Sequence, residues 1–291
     1  IAEYGGAFKI TEGFVEKFGK KRVRNTPLCE AAIVGSGLGL SINGYKSMVE
    51  MQFADFVTEG FNQIINNLAK THYRWNQNAD VVVRMPTGAG TGAGPFHSQS
   101  NEAWFTKTPG LKIAYPAFPD DAKGLLIQSF EDPNPVLFFE HKKLYRSLKG
   151  NVPEGFYTTP FGKARKVKEG NELTIITYGL GVHIALEFAK KNPEIALEIV
   201  DLRTLIPLDT ETIYESVKKC NKVIILHEDT LTCGFGAELS ALISEHCFED
   251  LDAPILRVAS MDTPIPFNKK LEDQFMPNEE LAEAVEKILK Y

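Results

Sequence analysis

Hydrophobic and polar positions recur along this chain with two periods, and the changes of period mark its elements. Ala31 to Ile42 is apolar almost all round, the pattern of a helix enclosed by protein. Pro27 stands ahead of it, where a first helical turn tolerates proline. Ser47 to Met51 reads as a short strand, and Phe56, Phe61, Ile64, Ile65 and Leu68 keep a helical period over Asp55 to Tyr73. Val81 to Val83, Leu111 to Tyr115 and Val136 to Glu140 are apolar runs of strand type. Between them lie a glycine-rich loop, a helix through Trp104 and a helix over Asp120 to Ser129. That alternation predicts a parallel sheet covered by helices on both faces. A shorter helical pattern, Thr11 to Phe18, precedes it.

Residues 149–171 turn polar and rich in Gly, Pro and Lys, which predicts an interdomain linker with some extended structure of its own. A second alternating series follows. Strands are expected over Leu173 to Thr177, Ala196 to Val200, Lys222 to Leu226 and Ile255 to Val258. Helices are expected over Val182 to Lys190, Asp209 to Lys218, Gly236 to His246 and Asn278 to Lys290, with Asn278 as a cap and Glu279 and Glu280 in the first turn. The expected architecture is α/β, two doubly wound domains, with boundaries at 1–150, 151–172 and 173–291.

Composition acts mainly by exclusion. The 291 residues suffice for two domains. A net charge of −6 with no basic cluster argues against a nucleic-acid partner. No apolar run approaches the ~18 residues of a membrane span, and the start IAEYGGAFKI lacks the apolar core of a signal peptide. Cys29, Cys220, Cys233 and Cys247 are widely spaced, which fits reduced thiols inside a cell or organelle.

Several positions could carry chemistry. Glu30 stands at the first turn of its helix, where the macrodipole alone favours an anion by roughly 0.3–1 kcal/mol. Gln52, Asp55 and Phe56 follow a strand, near the ends of consecutive elements, where open α/β sheets place ligands. Gly88, Gly90, Gly92 and Gly94 permit close approach to a ligand or a second subunit. They form no phosphate loop, because no lysine follows them. Gly35, Gly37 and Gly39 suit close helix packing. His97, taken alone, reads as a loop residue capping the next helix. His227, Glu228 and Asp229 sit at a strand end and read as a solvated or hydrogen-bonded turn.

Together, NTPLCE, VEMQFADF, HSQS, TPGLK, EDPNPVLFFEHKKLYR, VDLRTLIPLD and HED-x4-GFGAELS occur in one order over nearly the whole chain. This combination resembles the β subunit of the decarboxylating component of 2-oxo acid dehydrogenase complexes, and within that group it is most similar to the branched-chain (2-oxoisovalerate) type. The resemblance implies a transketolase-like fold, a pyrimidine-binding domain followed by a transketolase C-terminal domain, with thiamine diphosphate as cofactor. It implies a catalytic Glu30 that shares a proton with the pyrimidine N1′ and so promotes the imino form of the cofactor's own amine. Apolar surroundings suit such a carboxyl, since desolvation favours its protonated form. Phe56 then stacks on the aminopyrimidine, Gln52 lines the approach, and His97 holds the substrate carboxylate or moves a proton during acyl transfer. Branched-chain enzymes commonly have Tyr at the Phe56 position and pyruvate enzymes often Phe, so a pyruvate- or acetoin-type enzyme is the alternative. A non-catalytic assembly module of the same fold is another.

The resemblance further implies a structural potassium ion on carbonyls around Ala79, Val81, Val82, Ser129, Asp132 and Asn134. The last two also read as turn residues before Pro135. The family anchors the diphosphate through magnesium on a Gly-Asp-Gly segment, which this chain lacks. Its ligands are therefore expected on a partner α subunit or a fused α-like domain. A second β copy, the lipoyl acyltransferase core and a 2-oxo acid complete the expected partners. The expected location is the cytoplasm of a bacterium or the mitochondrial matrix of a eukaryote.

Overall fold

In the computed structural model, which describes residues 1–291, ten strands form two five-stranded sheets. The first sheet uses β1 (Ser47–Glu50), β2 (Val81–Thr87), β3 (Lys112–Ala114) and β4 (Val136–His141), parallel and ordered β1-β2-β4-β3. All seven residues of β2 are buried, as a central strand covered on both faces requires. Charge also sets its register. Glu50 lies opposite Arg84 and pairs with it, and the Arg84 guanidinium reaches Glu140 of β4 and Tyr145 Oη (3.0 Å) as well.

The second sheet uses β5 (Arg165–Lys168), β6 (Leu173–Thr177), β7 (Leu197–Asp201), β9 (Val223–Thr230) and β10 (Leu256–Ser260), ordered β10-β9-β6-β7-β5 with only β5 antiparallel. The intervening strand, β8 (Thr204–Ile206), leaves this sheet and adds antiparallel to β3. Both units are the expected parallel-sheet α/β layers, and one core of 29 buried residues runs through both. At the seam Tyr115 packs on Phe139 and Tyr178, with ring centroids 5.7 and 5.3 Å away.

The helices correct two expectations and refine a third. The helix over Glu30–Ile42 starts at Glu30, which leaves Pro27 outside it. It is not enclosed: Val34, Gly37 and Ser41 are buried, whereas Leu40 and Ile42 are exposed, because this chain covers one face only. Gly37 marks the crossing with the sheet. A Cβ there would stand 3.0 Å from Val81 Cγ1 and 3.1 Å from Val49 Cγ1, while Gly39 faces open space, so close packing belongs to Gly37. The run from Asp55 to Tyr73 is helical throughout, as expected, but changes type along its length, 3₁₀ over Ala54–Gly60, π over Gln63–Leu68 and α over Ala69–Trp75. Gly60, lacking a side chain, lets this helix rest on Val34 and on the Glu30 carbonyl. Asn278 opens the helix Asn278–Ile288 and its side chain caps nothing.

Candidate active site

Glu30 is half-buried at its helix start, and its carboxylate neither accepts a hydrogen bond from this chain nor pairs with a cation. Through Gly60 the short helix that carries Phe56 packs on the Glu30 backbone. Phe56 itself is half-buried and meets the His97 ring edge-on, 5.5 Å between centroids. Phe53 completes a triangle, 5.9 Å from Phe56 and 4.8 Å from His97. Phe8 of the N-terminal segment closes on Phe53 at 5.5 Å. Gln52 is exposed at the edge of this group and its side chain contacts no polar partner. The structure thus joins Phe56 and His97 directly, sets Glu30 behind Gly60, and leaves Gln52 facing solvent.

Asp55 holds the pieces together. Buried, it accepts from the Gln99 backbone amide (3.1 Å) and from Gln99 Nε2 (2.9 Å). Thr87 Oγ1 donates to the Gln99 carbonyl (2.8 Å), and Asn101 Nδ2 donates to the Ala54 carbonyl (2.9 Å). The 96–101 loop is therefore strapped to the helix of Phe56. His97 caps no helix: the next one, Ala103–Thr106, begins after Glu102.

Gly88, Gly90, Gly92 and Gly94 all have positive φ (91°, 85°, 70°, 70°), alternating with Ala89, Thr91 and Ala93. What the loop approaches closely is the second domain. Ala89 N donates to Glu228 Oε1 (2.5 Å), Gly90 N to Glu272 Oε1 (2.9 Å), and Gly92 N to both Glu272 oxygens (3.1 and 3.0 Å). The buried Lys142 ammonium donates to the Gly88 carbonyl, and His141 Nε2 donates to Glu228 Oε2 (2.5 Å). Burial acts to raise Glu228, but the His141 imidazole, the Ala89 amide and Lys142 hold it below the ordinary carboxylate range. Burial lowers Lys142 to about 8. Glu228 is hydrogen-bonded as expected, yet the turn is not solvated, because β9 continues to Thr230 and the side chain is enclosed. His141, Lys142 and Glu272 were not singled out from sequence; charged clusters at two strand ends, EHKK and HED, were the available signal.

Behind the loop lies a second acidic group. Tyr178 Oη donates to Glu102 Oε1 (2.8 Å), and Glu102 Oε2 has no partner. Burial, then the nearby Asp229, raises Glu102 to about 8, and burial raises Asp229 to about 7. An interdomain cleft of ≈ 240 Å³, lined by Ser98, Ser100, Trp104, Asp229 and Thr263 among others, reaches none of Glu30, Phe56 and His97.

The residues expected around potassium gather where β2 and β4 begin, since Val82 pairs with Val136 just after the 129–134 turn. Ala79 and Val81 are buried, and the Ser129 hydroxyl donates to the Leu125 carbonyl (2.7 Å). Asp132 Oδ1 accepts from the backbone amide (2.9 Å) and side-chain amide (2.8 Å) of Asn134, the bonds of a turn, while Oδ2 pairs with Lys112. No three His, Cys, Asp or Glu side chains converge as metal ligands.

Comparison with known proteins finds two family models in sequence order: the transketolase pyrimidine-binding domain over residues 2–147 and the transketolase C-terminal domain over residues 162–281. The chain is 48% identical over 289 residues to the 2-oxoisovalerate dehydrogenase subunit beta of Bacillus subtilis (strain 168), covering 98% of this chain and 88% of that protein. It is 40% identical over 296 residues to the pyruvate dehydrogenase E1 component subunit beta of Rickettsia felis, covering 100% and 90%. A solved structure described as a split gene transketolase, inactive beta4 tetramer, superposes with a TM-score of 0.76 over 97% of this chain and 90% of its own. At 23% identity that likeness concerns the fold.

Proposed function

The chain belongs to the transketolase-like family of 2-oxo acid dehydrogenase β subunits, and from that premise we propose that it is the β part of an enzyme that oxidatively decarboxylates a 2-oxo acid and passes the acyl group to a lipoyl arm. The favoured substrate class is branched-chain, supported by the 48% identity to a 2-oxoisovalerate dehydrogenase subunit. A pyruvate- or acetoin-type substrate is the second reading, supported by a phenyl ring at Phe56. The observation that carries the proposal is the half-buried, unpartnered Glu30 carboxylate beside the helix of Phe56.

These residues fit the pyrimidine end of thiamine diphosphate, a free carboxyl beside an aromatic face. When bound, that cofactor supplies the electron sink for cleaving the bond between the oxo carbon and the carboxylate. Glu30 holds and returns the proton at the pyrimidine N1′. Phe56 offers its face for stacking and, having no hydroxyl, donates no hydrogen bond. His97 holds the substrate carboxylate or moves a proton during acyl transfer, and Gln52 lines the approach. Magnesium belongs to an α subunit or fused α-like domain, a reading supported by the lack of a Gly-Asp-Gly segment in this sequence. Carbonyls of Ala79, Val81, Val82, Ser129, Asp132 and Asn134 hold a potassium ion that steadies the start of β2 and β4. A second β copy and a lipoyl acyltransferase core, docked with help from the C-terminal domain, complete the assembly, in the cytoplasm of a bacterium or the mitochondrial matrix of a eukaryote.

The test is calorimetric titration of thiamine diphosphate with magnesium into this chain alone and into the chain with an α partner, in potassium and in sodium buffer. Binding is expected only with the partner, and more tightly in potassium. Glu30→Gln in the assembled enzyme is expected to lower decarboxylation at least about 100-fold, the scale of a lost general acid–base group, with assembly intact. Unchanged turnover would remove Glu30 from the mechanism, and equal affinity in sodium would remove the potassium site.

A further inference from the structure

Resting on that reading of His97, we propose that Glu272, together with Glu228, is a positioning residue: the C-terminal domain grips the glycine-rich loop by its amides and so sets where His97 stands for acyl transfer. The loop alternates left-handed glycines with ordinary residues, a backbone form that turns successive N–H groups toward one anion. The anion is supplied from within the chain. Glu272 is fully buried on the helix Lys269–Phe275, pairs with no cation, and has as its only partners the amides of Gly90 and Gly92. The carboxylate is thus stranded without the loop, since a buried carboxylate is costly to leave unpaired, and the half-buried Gly90 and exposed Gly92 are the positions that satisfy it. Glu228 repeats the arrangement one residue earlier, at Ala89 N.

The grip lies on the same loop as the histidine, upstream of it. His97 N donates to the Gly94 carbonyl (3.3 Å), and Gly94 is closed over by Phe267 of the second domain, whose ring would stand 2.3 Å from a Cβ at that position. On its other side His97 is held by Phe53, by Phe56 and through Gln99 by Asp55. The first domain therefore holds the ring, and the second domain holds the loop that leads into it. Glu30 shares none of these contacts. Loosening the grip should accordingly impair the transfer that uses His97 far more than the decarboxylation that uses Glu30.

The two steps separate in the assembled enzyme when acyl transfer to a free lipoyl domain is compared with decarboxylation driven by the dye 2,6-dichlorophenolindophenol. Glu272→Ala is expected to lower the lipoyl-dependent kcat about 10-fold or more, the dye-dependent rate less than about 3-fold, and to speed amide hydrogen exchange at Gly90 and Gly92 about 10-fold or more. Glu272→Gln keeps an accepting oxygen but loses the charge, so both effects should be intermediate. If the alanine variant does not assemble, the glutamine variant decides, and unchanged exchange at Gly90 and Gly92 overturns the grip. Equal loss in both assays also overturns it, as the mark of a merely structural role. His97→Ala is the reference: lipoyl transfer that survives this change sinks the role of His97 itself, whereas its loss beside an unaffected Glu272→Ala sinks only the positioning proposal.

Discussion

Glu102 and Glu30 show how differently two carboxyls of one chain are set. Glu102 has one oxygen on Tyr178 and the other on nothing, inside the protein, so burial and then Asp229 raise it to about 8. The folded chain thus keeps a proton that the unfolded chain releases near pH ~4.3. Its contribution to stability is intact below that pH and is lost as pH rises through about 8. Glu102→Gln puts a neutral near-isostere where the acid is already protonated. The variant should equal or exceed the parent in stability at pH 8, and its unfolding free energy should fall less between pH 6 and 8, by up to about 1.4 kcal/mol per pH unit, with a correspondingly smaller fall in melting temperature. Equal slopes in a pH series of melting curves would show that Glu102 is ionised in the fold. For Glu30 no local pattern distinguishes a catalytic carboxyl from one that merely complements the macrodipole. Only the ordered set of motifs around it does, to which the structure adds a carboxylate without a protein partner.

At the scale of elements, the glycines of GFGAELS belong to His227. The ring sits under the start of the helix Phe235–Cys247, where a Cβ on Gly236 would stand 2.6 Å from His227 Nε2 and one on Gly234 2.6 Å from its Cε1. Gly236→Ala should destabilise by about 1–3 kcal/mol through overpacking, despite the better helix propensity of alanine. In a His227→Ala background most of that cost should vanish, a coupling of about 1 kcal/mol or more in urea unfolding. Additive effects would mean that the glycine serves the backbone and not the ring. Central strands were legible because burial on two faces leaves continuous apolar runs. The pairing of β8 was not. Its three residues follow β7 closely, after Arg203 in the left-handed region (φ 59°), and their partner β3 lies in the other half. The helical period of Asp55 to Tyr73 was real, but the packing of Gly60 on Glu30 is a tertiary contact with no local signature. Glu272 likewise sits in KKLEDQF, a segment with the composition of a solvated helix; its burial is imposed by a loop some 180 residues earlier in the chain.

For the whole molecule the division into two halves, plain in the alternating pattern, does not extend to stability. The 29-residue core holds Met85 and Phe105 of the first half together with Leu239 and Ile243 of the second. β8 makes the second half an edge of the first sheet, and Glu228 and Glu272 anchor the glycine-rich loop across the seam. Separating the halves would expose Tyr115 and Tyr178 and leave Glu272 and Glu228 without the loop amides, losses that together exceed what a weak interdomain contact would cost. The halves should therefore unfold as one cooperative unit. The chain offers its own probe, because its two tryptophans, Trp75 and Trp104, both lie in the first half. Urea unfolding followed by tryptophan fluorescence, which reports that half, should coincide with far-UV circular dichroism, which reports both. A fluorescence midpoint displaced from the dichroism midpoint would show that the shared core does not bind the halves. Coincident curves that separate in Glu272→Ala would locate the coupling at the grip on the loop.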